Sequence, residues 1–83
     1  MKVKFNNQEI SFLKEILADT AFFALASRLK ENEEIDIDDD IADEIRDLCG
    51  DEEVAEVQKA EEMGMVITAR GRTAADLVDR LYQ

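Results

Sequence analysis

Carboxylates outnumber every other reactive group in this chain: 21 Asp and Glu stand against 10 Lys and Arg, and histidine is absent. Carboxylates can ligate a hard cation, pair as general acid and base, or oppose a basic partner, and spacing must choose among these. Asp36, Asp38 and Asp40 occupy the first, third and fifth positions of a calcium-binding loop. The sixth position needs glycine for its sharp turn and is Ile41; the twelfth is Asp47, where a bidentate Glu belongs. No dedicated metal site and no cofactor are therefore expected. Ser11, Thr20, Ser27 and Cys49 have no histidine to activate them. Cys49 also lies among Asp47, Asp51 and Glu52, a setting that disfavours the thiolate and predicts an inert thiol on a helix. The acids are too numerous for one pair to stand out as a catalytic couple, and no glycine-rich phosphate loop is present. An enzyme is not expected. Arg70 and Arg72, beside Thr73, could hold a phosphate or carboxylate at a helix start. In so acidic a chain they are expected instead to pair with the protein's own acidic block.

The acids are not spread evenly. Residues 31 to 62 hold 16 of the 21, with only Arg46 and Lys59 as bases, for a net of −14; the other 51 residues net +3. If the whole block were helical, its carboxylates would recur about every 3 Å along about 48 Å of axis. One DNA strand presents a phosphate about every 3.4 Å, so the charge densities are comparable. Asp36, Asp38, Asp40, Asp43, Glu44, Asp47, Glu52, Glu53 and Glu56 form the expected partner-binding face. Acids in a first helical turn favour the macrodipole and explain Asp38 to Asp40, whereas Asp47 in a last turn opposes it. Like charges four residues apart also cost roughly a few tenths of a kcal/mol each. The competing reading is a polar face that only keeps the chain soluble. The charge argues against direct nucleic-acid binding and points to a basic nucleic-acid-binding protein as partner. In size and charge the chain is similar to small acidic proteins of phages and mobile elements, such as anti-restriction and anti-CRISPR inhibitors. That likeness is compositional and covers no aligned residues.

The elements follow from capping and periodicity. Val3 and Phe5 alternate with Lys2 and Lys4, as in a short strand or arm. Asn6 with Glu9 makes a capping box, and Phe5 with Ile10 a hydrophobic staple, so a first helix is predicted over 7–30. Its second half, Ala21 to Ala26, is apolar all round. It is read as the centre of the domain or, through Phe22 and Phe23, as a homodimer interface. A second helix is predicted from an Asp38 cap through Ile41, Ile45 and Leu48 to a stop at Gly50. A third follows from an Asp51 cap, with Val54, Val57, Ala60 and Met63 as its apolar stripe and Gly64 as its end. Residues 65–69 are the best strand candidate, able to pair with residues 2–5 in a two-stranded ribbon. Arg70-Gly71-Arg72 reads as a turn, and Thr73 with Asp76 as a capping box opening a last helix.

The expected fold is mainly α: a single domain over 1–83, a small helical bundle around a long hydrophobic first helix, with that short ribbon. The expected function is a non-enzymatic inhibitor or regulator whose acidic face occupies a basic groove. The alternative is an assembly module that self-associates through Phe22 and Phe23. A lone cysteine, no apolar run long enough to span a bilayer and no signal-peptide pattern predict a cytoplasmic, non-membrane protein.

Overall fold

Both start signals predicted at Asn6 are formed in the computed structural model, which describes residues 1 to 82. The Asn6 side chain accepts the Glu9 N–H at 2.8 Å, and the Glu9 carboxylate accepts the Asn6 N–H at 2.9 Å. Two orphan donors of α1 (Asn7–Ile16) are thus satisfied reciprocally. The staple residues Phe5 and Ile10 are both buried in the core.

The chain is mainly α, with helices over 62% of it, as expected. The first helix, however, is not long. It ends at Ile16, and the chain turns before a short α2 (Phe23–Ser27). Thr20 marks the break: its hydroxyl donates to the Leu17 carbonyl at 2.9 Å and accepts the Phe22 N–H at 3.1 Å. Such local bonds give the backbone an alternative to the helical ladder. The turn also resolves a burial problem, because no straight helix in so small a domain can bury all its sides. The run expected at the centre lies at the rim: Ala21, Phe23 and Ala24 are exposed, and only Ala26 is fully buried.

The ribbon exists, with a different partner. β1 (Lys2–Val3) pairs antiparallel with β2 (Ile35–Asp36), placing Lys2 opposite Asp36 and Val3 opposite Ile35. Opposite charges face one another across the ladder on one side and apolar side chains on the other. Residues 65–68 are not a strand. Thr68 instead caps the last helix by accepting the Gly71 N–H at 2.9 Å, a competing use of the backbone that a short β-branched run does not reveal.

The predicted second and third helices are one. α3 (Asp39–Glu62) runs unbroken through Gly50 for 24 residues, about 36 Å, close to the 38 Å longest dimension of the molecule. Gly50 costs about 1 kcal/mol in a helix interior. Ile45 and Cys49 before it and Glu56 and Ala60 after it are all buried on the same side, so packing carries the helix through. Gly64 does end the helix, at φ +72°, with the Met65 N–H bonded back to the Ala60 carbonyl at 2.8 Å. α4 (Ala69–Arg80) returns antiparallel along α3 and contains the Arg70-Gly71-Arg72 triplet in its first turns. A Cβ on Gly71 would come within 3.1 Å of Glu56 Cβ, so glycine permits this close approach of the two helices. Phe5, Leu13, Leu17, Ile45, Leu77 and Leu81 form the heart of a core enclosed by α1, the ribbon, α3 and α4.

Candidate functional site: the acidic outer face of helix α3

A continuous α3 changes how the acids are distributed. At 100° per residue, its buried Ala42, Ile45, Cys49, Glu56 and Ala60 share an arc of about 60°. Asp40, Glu44, Asp47 and Asp51 share an arc of similar width almost diametrically opposite, all exposed. Among the described residues none of these four has an ion-pair partner. They form a stripe about 16 Å long with a carboxylate about every 5 Å.

The other predicted face residues are placed differently. Asp38 caps α3 by accepting the Asp40 N–H at 2.9 Å. Asp36 and Asp39 face the Met1 ammonium at 3.4 and 3.0 Å, and the hydrogen bond that the ammonium donates to Asp39 raises its pKa. Asp43 is half-buried and 3.5 Å from Arg46, whose guanidinium also lies over the Tyr82 ring at 5.4 Å. Glu53 is half-buried on the flank. Glu52 and Glu56 do not belong to an outer face at all. They turn toward α4, where Arg70 meets Glu56 at 3.2 Å and Glu52 at 3.6 Å. The separate third helix assumed from sequence would have left their direction open; the unbroken one rotates them inward. Asp51, which the sequence pattern places at a cap, completes this exposed face in the structure. A wheel drawn straight through Gly50 would have found it.

Arg70 is the hub of the interior electrostatics. Besides Glu52 and Glu56 it holds Glu15 on α1 at 2.7 Å, and its guanidinium lies 4.9 Å from the Phe12 ring centre. The Glu15 hydrogen bond raises its pKa further, against the opposing effect of burial. The Glu56 carboxylate also accepts the Thr68 hydroxyl at 3.0 Å, linking this cluster to the α4 cap. Arg80 acts likewise, meeting the buried Glu9 at 3.0 Å and the Lys4 carbonyl at 3.1 Å. The expectation that Arg70 pairs with the protein's own acids therefore holds. The helix start that would have made an anion site of Arg70 and Arg72 lies at Ala69, upstream of the predicted Thr73. Arg72 is exposed.

Of the remaining reactive groups, Ser11 is exposed on α1 and the others are occupied or sealed. Thr20 and Ser27 donate to backbone carbonyls, and Cys49 is fully buried. Burial, and then the Glu52 charge, push the thiol up to about 12. No cluster among the described residues has the make-up of a metal site. Of the two candidate self-association residues, Phe22 packs against the core and Phe23 alone is exposed, at 48%.

Cys49 provides a direct check on this core. In the unfolded chain its thiol ionises from roughly pH 8.5; in the folded chain it keeps its proton to about 12. The folded state therefore binds more protons across that interval, and stability falls as pH rises through it, by up to about 1.4 kcal/mol per pH unit. Urea unfolding of the wild type and Cys49→Ala at pH 8 and pH 10 should show that extra loss in the wild type only. Equal losses would mean the thiol is not sealed.

Among the described residues no helix is long and apolar enough to cross a membrane. In comparisons with known proteins, the chain matches no family model, no curated protein and no solved structure.

Proposed function

We propose that this protein acts by binding rather than catalysis, presenting the acidic outer face of α3 to a basic, nucleic-acid-binding partner. One observation carries this reading. The Asp40, Glu44, Asp47 and Asp51 carboxylates stand in register along a helix whose opposite side is locked into the core, with no ion pair among the described residues to neutralise them. Their spacing of about 5 Å is wider than the roughly 3.4 Å of one DNA strand. The stripe therefore supports attraction to a positive groove more than close imitation of a phosphate backbone. Asp38 and the exposed Glu31, Glu33 and Glu34 extend the field at its N-terminal end. Inhibition would follow from occupancy, since a groove holding this helix is closed to nucleic acid.

The test is a quadruple charge reversal, Asp40→Lys, Glu44→Lys, Asp47→Lys and Asp51→Lys. All four side chains point into solvent, so circular dichroism and the melting temperature should stay near wild type. Capture of a basic nucleic-acid-binding protein by the immobilised wild type should weaken about thirtyfold or more in the variant. Wild-type binding should also weaken steeply with salt and be competed by duplex DNA. Binding that survives reversal, or that ignores both salt and DNA, sinks the reading.

A further inference from the structure

The hydrophobic core stops short of one end of the molecule. On α3 its last member is Cys49, and on α4 its first is Ala74; residues 50–73 between them contribute nothing to it. Their buried members are Glu56, Ala60 and Gly71, none with a large apolar side chain. Of the stripe that the sequence pattern turned toward the core, Ala60 alone is buried, while Val54, Val57 and Met63 are exposed. Burial of apolar area is the main term that keeps a helix folded in water. A helical piece of about 12 residues is marginal without it.

Two helix backbones carry this hairpin end, and one side chain ties it to the rest of the fold. Among the described residues, and helix backbone bonds aside, Arg70 makes the only hydrogen bond or ion pair from 50–73 to another part of the chain. It reaches Glu15 on α1 at 2.7 Å, and its guanidinium covers the buried Phe12 ring at 4.9 Å. The other side-chain bonds of this stretch are internal, such as those joining Glu56 to Arg70 and Thr68. Beside Arg70 an open groove separates the start of α4 from α1, with Gln8 and Ser11 on one side and Ala69 and Thr73 on the other.

Gly50 stands at the boundary. It follows Cys49, the last core residue of α3, and glycine is the weakest helix former after proline. We propose that residues 51–73 form a latched hairpin that opens at Gly50 and unravels locally while the core stays folded. The Arg70–Glu15 pair is the latch. Opening frees Arg70 and bares the Phe12 ring. The proposal does not depend on what the acidic stripe binds.

Native-state amide hydrogen exchange of the full chain, repeated across low urea concentrations, tests it. Amides of 52–63 should be at least tenfold less protected than those of 42–49 and 77–81. Their exchange should also depend less on urea, because a local opening exposes less surface than global unfolding. The methyl added by Gly50→Ala meets nothing within 4 Å. That variant should slow exchange of 52–63 about fivefold, since residue 50 must leave the helix for the hairpin to open. Glu15→Gln should speed the same exchange about threefold, as for the loss of a partly exposed ion pair. Equal protection and equal urea dependence along the whole of α3 would overturn the proposal. Protection that declines gradually toward Gly64, untouched by Gly50→Ala, would show fraying from the tip and overturn the hinge. No response to Glu15→Gln would overturn the latch.

Discussion

Replacing Arg70 with methionine should lower the unfolding free energy by about 2–3 kcal/mol, measured by urea titration at neutral pH. Removing one member of a buried ion pair typically costs about 3–5 kcal/mol, because the remaining charge stays desolvated without a counter-ion. Arg70 is about one-third exposed, so water relieves part of that cost. Glu56 has no such relief: it is buried and would keep only the Thr68 hydroxyl. Lysine at position 70 should not rescue. A single ammonium cannot serve Glu15, Glu52 and Glu56 together, nor lie flat over the Phe12 ring. Adding Glu56→Gln to Arg70→Met should recover part of the loss, since the amide can still accept from Thr68 and buries no charge. A double variant no more stable than Arg70→Met alone would show that the penalty does not lie in the stranded Glu56 carboxylate.

Phe5→Ala should be costlier still, at about 3–5 kcal/mol. A domain of this size has a total stability of roughly 4–12 kcal/mol, so this one side chain accounts for much of it. Phe5 belongs to no helix or strand, yet its ring is buried and lines a small internal void with Leu13, Leu17, Leu29, Ile45 and Leu81. Its carbonyl also accepts the Asn32 N–H at 2.9 Å, pinning the loop whose Asn32 sits at φ +59°. Phe5→Leu, which keeps most of the volume, should cost about 1 kcal/mol. A melting temperature unchanged by Phe5→Ala would mean that the segment before α1 is not part of the core.

Local chemistry was legible in the residues where a signal is completed within a few positions. The Asn6–Glu9 capping box, the Gly64 terminator and the mainly helical character are such signals, because capping bonds and helical periodicity are satisfied by near neighbours. The same kind of signal misled where a remote contact outweighed it. Gly50 beside Asp51 has the form of a stop and a new start, but burial of Cys49 and Glu56 against the rest of the fold holds one helix through both. Thr73 with Asp76 has the form of a capping box, yet Thr68, bonded to both Gly71 and Glu56, opens the helix earlier.

The candidate face shows the same division. Composition and order alone establish the excess of acid, its concentration in residues 31 to 62, and the absence of histidine. Which carboxylates reach solvent is a matter of rotation about one helix axis and of which arginine is near. Asp40, Glu44 and Asp47, legible from sequence, are exposed without an ion pair among the described residues, whereas Glu52 and Glu56, legible beside them, are claimed by Arg70 from 14 or more positions away. The exposure of apolar residues on α3 was hidden for a similar reason. Val54 and Val57 are spaced like core residues, and the unbroken turn of α3 through Gly50 carries them off its buried arc. Capping and composition are local free energies written in neighbouring residues. Burial and ion pairing depend on which distant surface arrives, and that follows from the packing of the whole chain.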